Sequence, residues 1–265
     1  MPGTLGQRLR EAIDESDGAA HFRLTAGERC PFLNRDNLCD LIIGLGEDSL
    51  CQICADHPRF RNEWSDRTEI GFGLCCEAAG RLVLGGREPL RLVTVDDDGL
   101  PDEPGDEESA LLTLRDTLMT RVQDRSRPFG DRLAELAERC RYPERSWQAW
   151  RGFLLSLERL DDAWEDALNT LPDDPPPLPD AWDIPFEQLT VYLLFRHLPG
   201  ALEDGDVPGR VRFCVLMTRL LRALLAAIPH PTLDDLIELA RLYSSEIEYS
   251  DENVGAILDE LARLG

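Results

Sequence analysis

Apolar residues recur every three or four positions through most of the second half of the chain, which is the pattern of helices with one buried face. Between residues 144 and 171 the recurring positions are Trp147, Trp150, Leu154, Leu157, Trp164 and Leu168. The same spacing from Pro208 to Ile228 predicts another helix, and Pro208 suits its first turn. These stripes of leucine and aromatic side chains predict a packed helical core.

Helix ends are also readable from the sequence. Thr232 followed by Asp235 has the form of a capping box, which predicts that a helix begins there. A last helix is expected over residues 252–264, and residues 1–17 have the pattern of a short amphipathic helix. The fold class is therefore mainly α, with an N-terminal cysteine-rich metal- or cluster-binding region followed by an α-helical bundle.

Short strands are expected only at residues 81–84 and 89–95, which are rich in leucine and valine. Two acidic stretches rich in proline, residues 95–108 and 171–185, have the composition of a solvated linker and of a rigid extended loop. Three regions follow from these patterns: a cysteine-rich iron–sulfur or metal-binding region at 1–95, an acidic linker at 96–108 and an α-helical domain at 109–265.

The charge of the chain limits its partners. Its formal net charge is −23, which would repel nucleic acid and favours a partner that carries basic groups. No apolar run is long enough to span a membrane, and the N-terminus lacks the apolar core of a signal peptide. We therefore expect a cytoplasmic protein. All of its basic side chains other than histidine are arginine, because the sequence contains no lysine.

Six of the eight cysteines fall within 47 residues, and these six are the candidate metal ligands: Cys30, Cys39, Cys51, Cys54, Cys75 and Cys76. In a reducing compartment, such clustering favours a metal site over disulfides. The pair Cys51-x2-Cys54 lets two thiolates meet one metal across a tight turn. The irregular spacing suits a 4Fe–4S cluster slightly better than zinc, and zinc or merely buried thiols remain the alternatives.

The segment from Tyr243 to Val254 combines carboxylates with tyrosines. Such groups can hold an ammonium group or take its proton. The same residues also fit a capped turn between two helices, with Ser250 or Asp251 as the N-cap. The sequence leaves both interpretations open.

Four blocks of the sequence together resemble one known family. They are CPFLNRDNLCDLIIGLGEDSLCQICADHPRF, EIGFGLCCEAAGRLVL, VYLLFRHLPGALEDGD and YSSEIEYSDENV, and they run from about residue 22 to residue 254. In this order they resemble the bacterial flagellin lysine-N-methylases, which are related to a cysteine-rich family described as zinc- or iron-chelating. The chain resembles a short form that lacks a further cysteine-rich segment upstream.

The resemblance implies a protein-lysine N-methyltransferase that uses S-adenosylmethionine, carries a cysteine-bound iron–sulfur cluster and acts on exposed lysines of flagellin. The residues expected to handle the lysine are Tyr243, Glu246, Glu248, Asp251 and Glu252. Arg59 and Arg196 are expected to bind anionic groups of the methyl donor. The alternative function is a non-enzymatic adaptor or redox sensor that binds zinc or an iron–sulfur cluster.

Overall fold

The computed structural model describes residues 2–15, 20–26, 29–97 and 103–265. The chain divides into two compact units, Met1–His57 and Pro58–Gly265, and each has an apolar core of its own. The predicted boundary between regions lay instead at residue 95. Part of the predicted acidic linker, residues 98–102, lies outside the described residues, and a helix already begins inside that linker at Asp106.

The first unit is small and has little regular structure. Its described elements are α1 (Pro2–Ala12), β1 (Ile13–Asp14), β2 (His21–Phe22), α2 (Asp40–Leu45) and α3 (Gln52–Asp56). Strands β1 and β2 pair in antiparallel register, with Ile13 opposite Phe22. Phe32 is fully buried and packs edge-on against Phe22, with ring centroids 4.9 Å apart. One aromatic pair thus lies at the centre of this unit's core.

The second unit is mainly helical, as the sequence predicted. It begins with an antiparallel hairpin and a helix, which are β3 (Arg59–Glu63), β4 (Thr68–Phe72) and α4 (Glu77–Leu84). Among the described residues nine further α-helices follow: α5 (Asp106–Val122), α6 (Phe129–Arg139), α7 (Trp147–Leu154), α8 (Asp162–Asn169), α9 (Asp183–His197), α10 (Ala201–Asp204), α11 (Val207–Ala226), α12 (Leu233–Tyr243) and α13 (Asp251–Leu264). Among the described residues, none of the helices has the length and apolar character of a membrane span.

Two predicted details were wrong. The strands expected at residues 81–84 and 89–95 do not form: the first stretch lies in α4, and the second has no regular structure. The described strands of this unit are instead β3 and β4. Their alternation is hidden in the sequence because the buried positions hold the polar residues Asn62 and Glu69, whereas Ile70 and Phe72 are exposed. The long periodic stretch at 144–171 is also broken into two helices, α7 and α8.

The core of the second unit is built around α9 and α11. Nearly every residue of α9 from Phe186 onward is buried, which is why this helix shows no amphipathic stripe. The hairpin is tied to α5 by an ion pair that is almost fully buried, in which Arg115 donates to both carboxylate oxygens of Glu69 at 2.6 and 2.7 Å. The hairpin is also tied to α9, because the Asn62 side chain donates to the Phe195 carbonyl at 2.9 Å. These contacts hold the hairpin next to the C-terminal end of α9.

Candidate functional site

The C-terminal end of α9 meets the connection between α12 and α13. Tyr192 and Arg196 are four residues apart on α9, so their side chains lie on one face of that helix. After α12 the chain continues as a π-helical turn over Ser244–Glu248, in which the Tyr249 amide bonds to the Ser244 carbonyl five residues back. Such turns insert one extra residue and are frequent at functional sites. Helix α13 then begins behind Ser250, whose side chain accepts from the Asn253 amide, as one of the sequence interpretations predicted.

The buried carboxylate of Glu248 is the centre of this region. One oxygen accepts a hydrogen bond from the Tyr192 hydroxyl at 2.8 Å, and the other is 3.0 Å from Nε2 of His197. The guanidinium of Arg196 lies 3.7 Å from the same carboxylate and also donates to the Tyr192 hydroxyl oxygen at 3.1 Å. The hydroxyl of Tyr243 approaches His197 at 3.5 Å. A carboxylate away from water is thus surrounded by donors.

The charges in this cluster are fixed by their neighbours. Burial raises the pKa of Glu248, but Arg196 and His197 outweigh that effect and bring the pKa to about 2. Burial lowers the pKa of His197, so this imidazole is neutral at pH 7 and donates to Glu248 through Nε2–H. Burial also raises the pKa of the Tyr192 and Tyr243 hydroxyls well above their usual value, so both stay protonated. Glu248 and Arg196 are therefore both ionised at neutral pH and form an ion pair.

The cluster reaches the surface through Tyr249. The guanidinium of Arg196 lies between two aromatic rings, 4.6 Å from the centroid of Phe60 and 4.7 Å from that of Tyr249. Tyr249 is about half exposed, and a hydrogen bond links its hydroxyl to the thiol of Cys75. A side chain at Gly73 would place its Cβ against the Tyr249 hydroxyl, so Tyr249 would have to move to make room for it.

A small apolar pocket of about 150 Å³ lies next to Phe60. Its walls include the aromatic side chains of Phe60, Phe72, Tyr192 and Phe195. Phe60 is shared with the arginine sandwich, and Tyr192 is shared with the Glu248 cluster. The pocket, the exposed tyrosine and the buried ion pair therefore form one continuous region of the second unit.

The structure places the predicted lysine-handling residues in different settings. Tyr243 and Glu248 lie together in the buried cluster, beside Arg196. Glu246 accepts the backbone amides of Leu160 and Asp161 at 2.8 Å each, on the other side of the π-helical turn. Two predicted carboxylates are exposed in the first turn of α13, namely Asp251 and Glu252. Arg59 is exposed on β3, with its guanidinium 5.7 Å from the ring centroid of Phe72.

The six clustered cysteines divide between the two units. In the first unit, burial and a hydrogen bond to Cys51 raise the pKa of the Cys54 thiol to about 11. Cys30 and Cys39 are near enough to Cys54 to raise it further. Cys75 and Cys76 belong to the second unit, where Cys76 directly precedes α4. All eight cysteines are free, and Cys140 and Cys214 are buried thiols of the helical core.

A metal centre is not confirmed by this arrangement. Within the described ranges, no three cysteine, histidine or acidic side chains converge as a ligand set. The donor chemistry of the four thiols in the first unit nevertheless suits zinc or iron, because soft thiolates are preferred ligands for both. Cys54 is close enough to the other three for each of them to raise its pKa.

Several residues of the site were missed by sequence reasoning. Tyr192 and His197 are hidden in a helix that looks uniformly apolar, and Phe60 and Gly73 lie far from the C-terminal segment in the chain. The available signal was the spacing of Tyr192 and Arg196, two polar side chains four residues apart on a helix that is otherwise buried. No pattern in the sequence indicated the contact of Tyr249 with Cys75.

Comparison with known proteins identifies the C-terminal part of the chain. Residues 113–265 match the family model of the FliB lysine N-methylase C-terminal domain. The match covers more than half of the chain and includes α9, the π-helical turn and α13. The clustered cysteines, Phe60 and Gly73 lie outside it. Searches of curated proteins and of solved structures gave no match.

Proposed function

Since the chain belongs to the FliB lysine N-methylase family through its C-terminal domain, we propose that it is a protein-lysine N-methyltransferase that takes its methyl group from S-adenosylmethionine. One observation carries the proposal. The half-exposed ring of Tyr249 lies on the guanidinium of Arg196, and the other ring that covers this guanidinium, Phe60, is a wall of an apolar pocket. This combination suits a long apolar side chain that ends in a cation.

The proposed acceptor is a lysine on the surface of another protein, with flagellin as the family's substrate. The methylene stem of lysine fits apolar walls, and the exposed part of the Tyr249 ring attracts cations such as an ammonium or a sulfonium group. The net charge of −23 and the exposed carboxylates of Asp251 and Glu252 favour approach of a lysine-bearing partner. Arg59 is the proposed partner for the carboxylate of the methyl donor, whereas the side chain of Arg196 is largely buried and already paired with Glu248, so we assign it to supporting the ring of Tyr249.

The reaction is a direct displacement. The neutral lysine nitrogen attacks the methyl carbon, the bond from carbon to sulfur breaks, and S-adenosylhomocysteine leaves with the electron pair. Glu248 is unsuited to take the lysine proton at neutral pH, because its pKa is about 2 and its oxygens are already bonded. We therefore assign Glu248 and Tyr243 to holding Arg196 and His197 in place, and we assign the proton to water. Glu246 positions the loop before α8.

The test is transfer of labelled methyl from S-adenosylmethionine to flagellin. Because this chain contains no lysine, every methylated ε-amine that is found must belong to the substrate, and self-methylation of lysine gives no background. Flagellin whose lysines have been chemically acetylated is the control. Absence of transfer to untreated flagellin by a folded, metal-loaded protein would disprove the proposed activity.

Replacement of Tyr249 separates the role of its ring from that of its hydroxyl. Tyr249→Ala removes the exposed aromatic face, and we expect transfer to fall about tenfold, the effect of one cation–π contact of ~1.4 kcal/mol. Tyr249→Phe keeps the ring and loses only the bonds of the hydroxyl to Cys75 and Arg196, so it should stay within about threefold of wild type. Equal losses in both variants would contradict the assigned role of the ring.

We further propose that the four thiols of the first unit bind a metal, as an iron–sulfur cluster with zinc as the alternative. Cys30, Cys39, Cys51 and Cys54 would hold it, and its chemistry there would be to stabilise a unit with a very small apolar core. The same four thiols also favour the second candidate function, an adaptor or redox sensor that transfers no methyl group. Transfer to flagellin distinguishes the two functions.

Metal content tests the cluster directly. Protein purified without oxygen should contain iron and acid-labile sulfide, or else zinc, and serine at any of the four positions should lower that content. Cys76→Ser, in the other unit, is the matched control and should retain the metal. Wild-type protein that contains neither iron nor zinc would refute the proposed site.

A further inference from the structure

A second concave site lies in the helical unit, outside the region described above. It has a volume of about 300 Å³ and lies between the turn before α7, the α11 helix and the proline-rich loop at residues 175–178. Cavities of this size are typical of sites for small organic molecules. The lysine-handling residues do not line it.

The walls of this cavity are flat and rich in aromatic side chains. They include the rings of Tyr142, Trp147 and Trp150, with Pro175–Pro177 on another side. Trp150 is almost fully buried, so its ring is held rigidly by the core. Rigid aromatic and proline surfaces can stack on the ring of a ligand at little cost in conformational entropy.

Three arginines also line the cavity, and they differ in how their charge is balanced. Arg145 is ion-paired with the largely buried carboxylate of Glu260. Arg219 lies over the ring of Tyr142 at 4.6 Å and reaches only the highly exposed carboxylate of Glu144, at 3.6 Å. The charge of Arg145 is therefore balanced by Glu260, and that of Arg219 is balanced in part by Glu144.

Arg222 is the exception. Its Nη1 is buried without a hydrogen-bond acceptor, and no carboxylate in the described part of the chain lies within 4 Å of its guanidinium. The rings of Phe129 and Phe186, at 5.3 and 4.9 Å, cover its faces but accept no hydrogen bond from its edge. Asp183 influences it from farther away and already accepts the Phe129 amide. Arg222 is partly buried, and burial lowers its pKa, so part of this guanidinium is removed from water with no adjacent carboxylate among the described residues to balance it.

We propose that this cavity, defined by Tyr142, Trp147, Trp150 and Arg222, binds a small ligand in which a flat ring is joined to a phosphate or carboxylate group. The ring stacks on Trp147 and the proline wall, because Arg219 and Arg145 already cover the rings of Tyr142 and Trp150. The anion is drawn to Arg222 with help from Arg219. Two sources supply this chemistry: a nucleoside monophosphate, and an adenosyl amino acid with its carboxylate. Binding of the nucleoside monophosphate is independent of the proposed methyl transfer. Binding of the adenosyl amino acid here rests on that function and would move the methyl donor from Arg59 to this cavity, which the Arg222 variant below distinguishes.

Calorimetric titration of the full chain tests the proposal with four probes: AMP, S-adenosylhomocysteine, adenosine and inorganic phosphate. AMP or S-adenosylhomocysteine should bind at least ten times more tightly than adenosine, which lacks the anion, and than phosphate, which lacks the ring. Binding of AMP alone identifies a phosphate ligand, and binding of S-adenosylhomocysteine alone identifies a carboxylate ligand. If no probe binds, or if adenosine binds as well as AMP and S-adenosylhomocysteine, the proposal is wrong.

Two variants locate the binding. Arg222→Gln should weaken the anionic probe at least tenfold, the effect of losing a charge-assisted hydrogen bond, and should leave weak adenosine binding unchanged. Arg210→Gln is the matched control on the same helix, because Arg210 is paired with Asp204 and does not line the cavity. Trp147→Ala should weaken both AMP and adenosine. If Arg222→Gln binds the anionic probe as tightly as wild type does, the assignment is wrong.

Discussion

At the scale of single residues, the charge on Glu248 depends on three neighbours from one helix. Tyr192, Arg196 and His197 all belong to α9, and their side chains meet the carboxylate at 2.8, 3.7 and 3.0 Å. Burying a carboxylate without partners is prohibitive, so the pair with Arg196 is what allows Glu248 to be ionised inside the unit. The same contacts fix the guanidinium that holds Tyr249 at the surface.

Replacement of Glu248 by glutamine should therefore leave Arg196 as an unpaired buried charge. We expect Glu248→Gln to lower the free energy of unfolding by about 3 kcal/mol at pH 7, because the carboxyl pKa falls from about 4.5 to about 2 on folding. Glu252→Gln, an exposed glutamate in the same segment, is the matched control and should change it by less than about 0.5 kcal/mol. Urea titrations followed by tryptophan fluorescence measure both.

The stability difference between wild type and Glu248→Gln should also depend on pH in a definite direction. The pKa of Glu248 is lowered in the folded protein, so its contribution to stability is complete above about pH 4.5 and is lost as the pH falls toward 2. The difference in stability between wild type and Glu248→Gln should shrink over that interval. A difference that stays constant down to pH 2 would contradict the assigned ion pair.

The sequence could indicate these residues but not their partners. Tyr243 and Glu248 were predicted from the composition of one short segment, and the structure brings them together with Arg196. Their arrangement depends on contacts between residues about 50 positions apart, such as Glu248 with Arg196 and with His197. Local patterns carry no information about such pairs, so Tyr192 and His197 could not be assigned from sequence.

At the scale of elements, helix starts were more predictable than helix breaks. The capping box at Thr232 and Asp235 is present, with reciprocal bonds between each side chain and the other residue's backbone. The break between α7 and α8 was missed, because both helices pack on one core and so continue one apolar pattern. A residue distant in the sequence stabilises the break: the Glu246 carboxylate accepts hydrogen bonds from the backbone amides of Leu160 and Asp161.

Loss of the cap should have a modest and local effect. Thr232→Ala removes the side-chain acceptor for the Asp235 amide, and we expect it to cost about 1 kcal/mol of unfolding free energy. Thr117→Ala, at an exposed position inside α5, is the control and should be neutral or slightly stabilising, because alanine is the better helix former there. Thermal unfolding followed by circular dichroism compares the two. A larger loss in Thr117→Ala would show that the cap is unimportant.

At the scale of the whole molecule, the chain has two apolar cores of very different size. The core of the first unit consists of Ala12, Phe32 and Leu41 with a few partly buried neighbours, whereas the second core draws on nearly every helix from α4 onward. The helical class of the second unit was predictable, because the apolar periodicity of each helix can be read from a short stretch of sequence. The position of the division at residue 57 was not, because the sequence there is marked by cysteines rather than by a linker.

Separate cores predict separate responses to equivalent mutations. Phe32 and Phe186 are both fully buried phenylalanines, one in each core, and replacing either by alanine should cost its own unit about 3–5 kcal/mol. All five tryptophans lie in the second unit, so fluorescence reports the unfolding of that unit alone. Phe186→Ala should therefore lower the midpoint of the fluorescence transition in urea, and Phe32→Ala should leave it unchanged while speeding proteolysis within residues 1–57. If Phe32→Ala shifts the fluorescence midpoint as far as Phe186→Ala does, the two cores unfold as one, and a metal in the first unit would then stabilise the candidate site as well.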